Sequence, residues 1–508
     1  MVEETATSKT QFQETIESPR KRRWLTVLRS LAEPERLTII LLLSAVSFIC
    51  FYVNWGLYRS FSLRFTEDHS IFNQVFFNLV TRANFAMTVI EADTFLAIHF
   101  TPILVLLAPL YAPFQTPVFL LFVAACAMGA TGFLICLIAR EVTGSRGAGI
   151  VACLLFLCHA STTQIYFTGF RDTLVGLPLI SLALLFYVRG SFCPFAVSLV
   201  LTCLCKEDMA LSVLGFAFVA IVQRRGWNWA VFPLVFSVSY FFAVAGWLMP
   251  ALRDDHSAVR FAGARFGEFA HLGATPGEIV KTLFLQPLNT WKMFTGTEEL
   301  GFYRDILEPL AYLPALAPEV LLVPLGAWLL CVLPEPTYFS NIGWYYHAPI
   351  LPFAMTAVFV ALKRIERLEV AARLRWWTKR PGRRYYSIPV GLCVLAVISL
   401  SRSDNVVRAI GRRMSSIGAV ESPFHQALLQ IPKHASVSAQ WAFLAYLSSR
   451  EKIFQFDRVN SADWVVLNPE KDYYPVSAGV YYQTLLSLLR NKEYGAYYFD
   501  GQNLILKR

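Results

Sequence analysis

Charge is what this chain has least of. Of its 508 residues only 16% are Asp, Glu, Lys or Arg, whereas 56% are hydrophobic and the mean hydropathy is +0.48. Soluble globular domains carry about 25% charged residues, so the composition excludes that class. The ten cysteines (50, 126, 136, 153, 158, 193, 203, 205, 331 and 393) all lie in apolar segments. None has metal-ligand neighbours or a loop position suited to a bridge, which argues against a zinc site or a disulfide framework. They read as small apolar packing residues. The polar N-terminal stretch lacks the compact basic region and cleavage site of a signal peptide, and no internal repeat stands out.

What the chain has in quantity is apolar runs. They fall near residues 37–57, 117–139, 147–167, 173–188, 192–205, 209–222, 229–252, 305–333, 345–362 and 387–401. These approach or exceed the roughly 17–25 residues needed to cross the hydrocarbon, although several are short. The expectation is an α-helical polytopic membrane protein with about 11–13 membrane segments and a small C-terminal α/β domain. Residues 1–36 read as a cytoplasmic tail, 37–401 as the transmembrane domain with outer loops 58–98 and 253–303, and 402–508 as the extracytoplasmic α/β domain. In that last part 435–439, 452–456 and 462–467 read as strands and 481–490 as a helix. Residues 497–499 and 502–506 read as a hairpin closed at Asp500-Gly501.

The net charge of +10 is concentrated in residues 363–384, with nine Lys or Arg against two Glu. A basic block beside a span marks the cytoplasmic side, which accounts for it without nucleic acid. The same bias places Arg20 to Arg23, Arg140 with Arg146, Arg189, and Arg224 with Arg225 inside. Consistency then requires 99–113, interrupted by Pro102, Pro109 and Pro113, to be broken or re-entrant. Residues 305–333, with Pro309, Pro314, Pro318 and Pro324, read as two broken helices. The outer face, expected to be that of the plasma (inner) membrane, then collects loop 58–98, Arg171 with Asp172, Lys206-Glu207-Asp208, loop 253–303 and His347.

Chemistry is sought on that face. Asp68 follows the first span and precedes an amphipathic stretch, 71–82, with Phe72, Val75, Phe76 and Leu79 on one side. A helix lying in the interface would hold this carboxylate where a lipid-linked donor and a polar acceptor both reach it; the alternative is a helix N-cap. Glu91, Asp93 and His99 leave a divalent cation open, although their spacing matches no ligand motif. His99 opens a broken apolar segment, where an ionisable group is costly unless it faces a cavity. Arg171 and Lys206, wedged between apolar runs, are suited to neutralising a lipid phosphate leaving group; the alternative is local pairing of Arg171 with Asp172 and of Lys206 with Asp208. Tyr345 reads as an aromatic-belt residue, with His347 beside it at the level of His99.

Residues 68–74, 99–104 running to 108–111, 206–208, 317–319 and 346–353 resemble the multi-spanning membrane proteins grouped as domain of unknown function 2079. The resemblance covers about residues 60–365, and Ile431-Pro432 leading into 435–438 is similar to that family's tail. The family in turn resembles the GT-C superfamily of polyprenyl-phosphate-sugar-dependent glycosyltransferases, whose catalytic acid lies in the first outer loop. The resemblance implies a transferase with Asp68 as catalytic base. Arg171, Lys206, His99, His347, Glu207 and Asp208 would form the substrate and phosphate site, and the partners would be membrane lipid and a polyprenyl-phosphate-linked sugar. The chain departs from the family pattern at Asn73, where a second Asp is frequent, and at Arg171, where His is found. The first weakens a paired-acid or metal scheme; the second puts a better phosphate partner in place of a shared His. A transporter or flippase for a lipid-linked or anionic solute would instead require charges on both sides of the midplane and an inverted repeat, neither of which is evident. A non-catalytic scaffold would leave the outer charges unexplained.

Overall fold

The computed structural model describes residues 33–90, 94–253, 267–273, 275–367, 405–418, 422–460, 462–490 and 493–508. Glu91, Asp93, the run 387–401 and most of the N-terminal tail and the basic block lie outside the described residues.

Among the described residues five helices are long and apolar enough to cross a membrane: Pro34–Arg59, Pro117–Thr143, Asp172–Arg189, Asn228–Ala251 and Ala348–Glu366. Arg146–Cys158 and Ala160–Tyr166 together are also apolar and long enough, but meet at 65°, the geometry of a broken span or a re-entrant loop. The break lies at His159, whose backbone is extended and whose Nδ1 accepts from Ser161 N, capping the second half. The remaining apolar runs are shorter than a span. Phe192–Cys203 and Met209–Val222 have 12 and 14 residues, Ile103–Tyr111 has nine with Pro109 inside it, and the proline-rich run near 305–333 divides into short turns followed by Leu325–Val332. These partial helices are among the about 11–13 membrane segments expected, and proline, which removes a helix hydrogen bond and clashes with the preceding turn, interrupts several of them.

Burial orders the bundle. In Ala348–Glu366, 72% of the span is buried, against 33% of Pro34–Arg59 and 17% of Asn228–Ala251, so the first is the central helix and the other two face outward. Phe353, Met355 and Phe359 fill the centre. Met209–Val222 meets the 323–332 segment backbone to backbone: a Cβ on Gly215 would lie 2.1 Å from Val323 O, and one on Gly326 2.4 Å from Leu211 C. Only glycine permits that approach at both places.

The C-terminal part forms a five-stranded sheet, β1 (Val437–Ala439), β2 (Ile453–Gln455), β3 (Trp464–Leu467), β4 (Gly495–Phe499) and β5 (Leu504–Lys507), in the order β2-β1-β3-β5-β4. β1 is parallel to β2 and β3, and β5 is antiparallel to β3 and β4. All of β3 is buried because the sheet is covered on both faces. Val465, Leu467 and Leu506 pack against Tyr481, Leu485 and Leu488 of helix Ala478–Arg490. Trp464, Val466 and Ile505, alternating with them, join the core that continues into the bundle.

Helix Thr66–Arg82 is the joint between the two parts. Phe72 and Phe76 stack into Phe95, Phe170 and Tyr111. On its other side Asn73 Nδ2 donates to Ser448 Oγ and Ser449 Oγ at 2.9 and 3.1 Å, Tyr111 OH donates to Asn73 Oδ1, and Gln74 Nε2 donates to Glu451 O. Both the apolar and the polar side of the helix therefore meet protein, where its amphipathic pattern suggested lipid headgroups over one of them. Its polar face is occupied by protein, and Asn73 is a fully bonded docking residue.

His69 fixes the same helix to the bundle. Phe170 N donates to its Nδ1, so the neutral ring carries its proton on Nε2 and donates it to Pro117 O at 3.1 Å. Burial pushes its pKa from 6.5 down to about 4. Between those values the unfolded chain binds the proton and the folded one does not, so this contribution to stability is present above pH 6.5 and lost as pH falls towards 4. The full effect is on the order of 3 kcal/mol. In a thermal melt series His69→Gln should be less stable than wild type at pH 7.5, with the gap narrowing steadily to pH 4.5; a constant gap would contradict a neutral His69.

Candidate functional site

Asp68 lies in the first turn of Thr66–Arg82, where Phe65 rather than Asp68 occupies the capping position and makes no side-chain cap bond. The N-cap alternative therefore does not hold. A carboxylate there still benefits from the helix dipole, but its strong partner is distant in sequence: Arg171 Nη2 donates to Asp68 Oδ2 at 2.6 Å, across 103 residues. The approach depends on a turn at Gly169, φ +74°, a left-handed conformation that favours glycine. That turn brings Phe170 onto His69 and Arg171 onto Asp68, one register step apart.

The two members of the pair are placed differently. The Arg171 side chain is 3% exposed and that of Asp68 39%. Burial works against the guanidinium charge, but Asp68 together with Tyr345 and Tyr346 offsets it, and the Arg171 pKa lies above its ordinary value. The guanidinium carbon also sits 3.6 Å from the Tyr345 ring centroid and 5.0 Å from that of Phe65, a cation held between two aromatic faces. Tyr345 is thus a buried wall of the site and not a belt residue. Nothing in the local sequence distinguishes it; the signal was its place beside His347.

Lys206 is the second buried cation. Its Nζ meets Asp208 Oδ2 at 2.7 Å, the local pairing expected as an alternative. Glu207 turns the other way: Oε1 lies 3.1 Å from His99 Nδ1, and Oε2 accepts from Phe100 N at 2.9 Å. Ile103 N donates to Leu204 O, so the 99–103 segment is laced to the Leu204–Asp208 turn by backbone and side chain. The flanking helices of 12 and 14 residues rise only about 18 and 21 Å, short of the ~30 Å hydrocarbon core.

The two charged groups are linked. Lys206 is within electrostatic range of Tyr345 and Asp172, and Asp172 within range of His99, Glu207 and Asp208. Asp172 Oδ1 accepts from Thr173 N, and its buried Oδ2 has no hydrogen-bond partner. Arg171 pairs with Asp68 and not with Asp172. His347 stands apart. It is buried, packs edge-on against Phe302, and burial, with His159 nearby, pushes its pKa down to about 3. Both of its ring nitrogens are buried without a hydrogen-bond partner, and it touches none of the charged groups in the contacts described. Asp68 with Arg171, Lys206 with Asp208, and Glu207 with His99 thus form three pairs, with Asp172 and Tyr345 within electrostatic range of them, and His347 belongs to none. Among the described residues no group of three or more His, Cys, Asp or Glu is placed to hold a metal ion.

Residues 59–506 match the family described as predicted membrane protein (DUF2079), and the chain belongs to that family. A search of curated proteins gives no match. Among solved structures the chain is similar to ArnT from Cupriavidus metallidurans bound to undecaprenyl phosphate, at 14% identity and TM-score 0.47, covering 92% of this chain and 97% of that one. The apo state of the same protein gives 13% identity and TM-score 0.48 over the same shares. The Archaeoglobus fulgidus oligosaccharyltransferase in the apo form gives 11% and 0.45, covering 85% of this chain and 69% of that one.

The unequal burial of the ion pair yields a test. Removing Asp68 strands a buried cation, at a cost on the order of 3 kcal/mol, whereas replacing a buried ion by an apolar side chain of similar volume is often neutral. Asp68→Ala should therefore lower the melting temperature more than Arg171→Met. The reverse order would mean that Asp68 is not the counter-ion of Arg171.

Proposed function

We propose that the chain is a GT-C-type membrane glycosyltransferase that moves a sugar from a polyprenyl-phosphate donor to an acceptor hydroxyl at the outer face of the membrane. The observation that carries this reading is the Asp68–Arg171 pair, a carboxylate partly open to solvent held by a cation that is not.

In this reading Asp68 takes the proton of the acceptor hydroxyl. The acceptor oxygen attacks the anomeric carbon from the face opposite the phosphate, the bond from that carbon to the phosphate oxygen breaks with inversion, and the lipid phosphate leaves with the electron pair. Arg171 and Lys206 take up the charge that develops on the phosphate. Arg171 has donors to spare for this: Nη2 is committed to Asp68, while Nε is buried without a partner. Of the three donors on Lys206, one meets Asp208. Glu207 holds His99 at the mouth of the 99–103 segment, a positioning role. The same reading places residues 1–36 in the cytoplasm, the C-terminal domain outside and the protein in the plasma membrane.

The test is release of free polyprenyl phosphate from a panel of polyprenyl-phosphate monosaccharides by the purified full-length protein. Loss of a general base typically costs about 10²–10⁴ in rate, so Asp68→Asn, which keeps an oxygen for Arg171 Nη2, should fall by that factor while still melting cooperatively, at a temperature between those of Asp68→Ala and wild type. Undiminished turnover in Asp68→Asn would remove Asp68 from the mechanism.

A further inference from the structure

Residues 275–295 fold as two short helices, Pro276–Leu285 and Pro287–Phe294. Thr275 caps the first by accepting from Glu278 N, and Thr290 Oγ1 donates across the bend to Leu283 O at 2.8 Å. The two rise only about 15 and 12 Å, too little to cross the hydrocarbon core of about 30 Å. We propose that this helix pair lies flat on the membrane, its apolar face set into the boundary between lipid headgroups and acyl chains at the end of the bundle that carries Asp68.

Each helix has an apolar stripe, and each stripe is only half covered by protein. Ile279, Leu283 and Phe294 are half-buried, Phe294 against the core of the bundle. Val280, Phe284, Leu288 and Trp291 are 53%, 80%, 78% and 67% exposed, and Leu285 at the bend is exposed as well. No described side chain from 275 to 295 is buried. Glu278 and Lys281 fall outside the stripe at helical spacing, and Thr282, Gln286, Asn289 and Lys292 line a recess with His271. Large apolar groups outermost and polar ones withdrawn are the reverse of what water selects. Trp, Phe and Leu on one face with Lys off it is the pattern of a helix lying in the membrane interface, buried about 5–10 Å at the headgroup boundary.

The flanking contacts set the level. Before the pair, Glu335 N donates to Glu268 O, which ties this stretch to the loop after Leu325–Val332. That loop also carries Trp344, packed edge-on against Phe65 at the start of the Asp68 helix. After the pair, Thr297–Leu307 enters the bundle, where Phe302 packs against Trp328 and Ile306 O accepts from His159 Nε2. The preceding span, Asn228–Ala251, reaches the same end of the bundle: Met249–Ala251 touches Phe95–Ala97, and Phe95 packs on Phe72 of the Asp68 helix. That span is only 17% buried, and Trp247 near its end is exposed. In the chain the pair therefore lies between a lipid-facing span and a helix entering the bundle, at the level where the spans end. Beside the bundle at that level the cover is lipid, and a contiguous apolar face there is a membrane-contact surface.

Photo-crosslinking of the full-length protein in nanodiscs of phosphatidylethanolamine and phosphatidylglycerol tests the proposal. The photoreactive residue p-benzoylphenylalanine replaces, one at a time, Phe284, Trp291, Lys281 and, as a reference on the lipid-facing span, Phe242. Intact mass spectrometry after irradiation should show a monomer heavier by one phospholipid for Phe284 and Trp291, at no less than half the yield at Phe242, and at least threefold less of it at Lys281. A covalent dimer at Phe284 and Trp291 would assign the face to a second copy of the chain. A monomer without lipid at both positions, with the adduct present at Phe242, would assign it to water or to another part of the same chain. Either result, or a yield at Lys281 equal to that at Phe284, overturns the proposal.

Discussion

The site depends on keeping two cations out of water. Arg171 and Lys206 are almost wholly buried, and a charge so placed persists only where carboxylates and ring faces replace its lost hydration. The rest of the arrangement supplies those replacements. Asp68 on one helix, Tyr345 on a distant loop and Phe65 at a helix start converge on one guanidinium, while Asp208 answers Lys206. Because the substitutes arrive from segments far apart in sequence, their placement is a property of the assembled bundle.

That assembly runs through helix Thr66–Arg82. Its apolar side belongs to the bundle, its polar side to the C-terminal sheet domain, and His69 bonds it to Pro117 and Phe170. The carboxylate at its first turn is therefore held from both sides. The C-terminal domain is part of this support: its strands share a continuous core with the bundle, and Ser448, Ser449 and Glu451 bond the helix one turn beyond Asp68.

Local rules made much of the fold legible. The strands at 435–439, 452–456 and 462–467 and the hairpin at Asp500-Gly501 fall where alternation and turn chemistry put them, and prolines mark broken helices at 98–113 and 305–333. The resemblance carried by 68–74, 99–104, 206–208 and 346–353 extended as far as the family. The outer-face charges were legible as residues, and of their pairs only Lys206 with Asp208 was anticipated. Arg171 has Asp172 as its neighbour in sequence, yet pairs with Asp68, because the Gly169 turn directs its side chain to the other helix. Helical spacing showed the two-sided character of 71–82 but not that a docked protein domain covers Asn73 and Gln74, since hydropathy cannot tell such a domain from lipid headgroups. His347 was singled out with the charged residues, yet the ring contact it makes is with Phe302. The backbone contacts at Gly215 and Gly326 leave no local trace beyond the glycines themselves.

The central claim is that the two buried cations hold a lipid phosphate. Native mass spectrometry of the full-length protein, purified from membranes, compares wild type with Arg171→Met combined with Lys206→Met, each checked for a cooperative melt. The account predicts polyprenyl phosphate bound to wild type and absent from the double variant. Equal retention by both, or no such lipid on wild type after incubation with undecaprenyl phosphate, would contradict it.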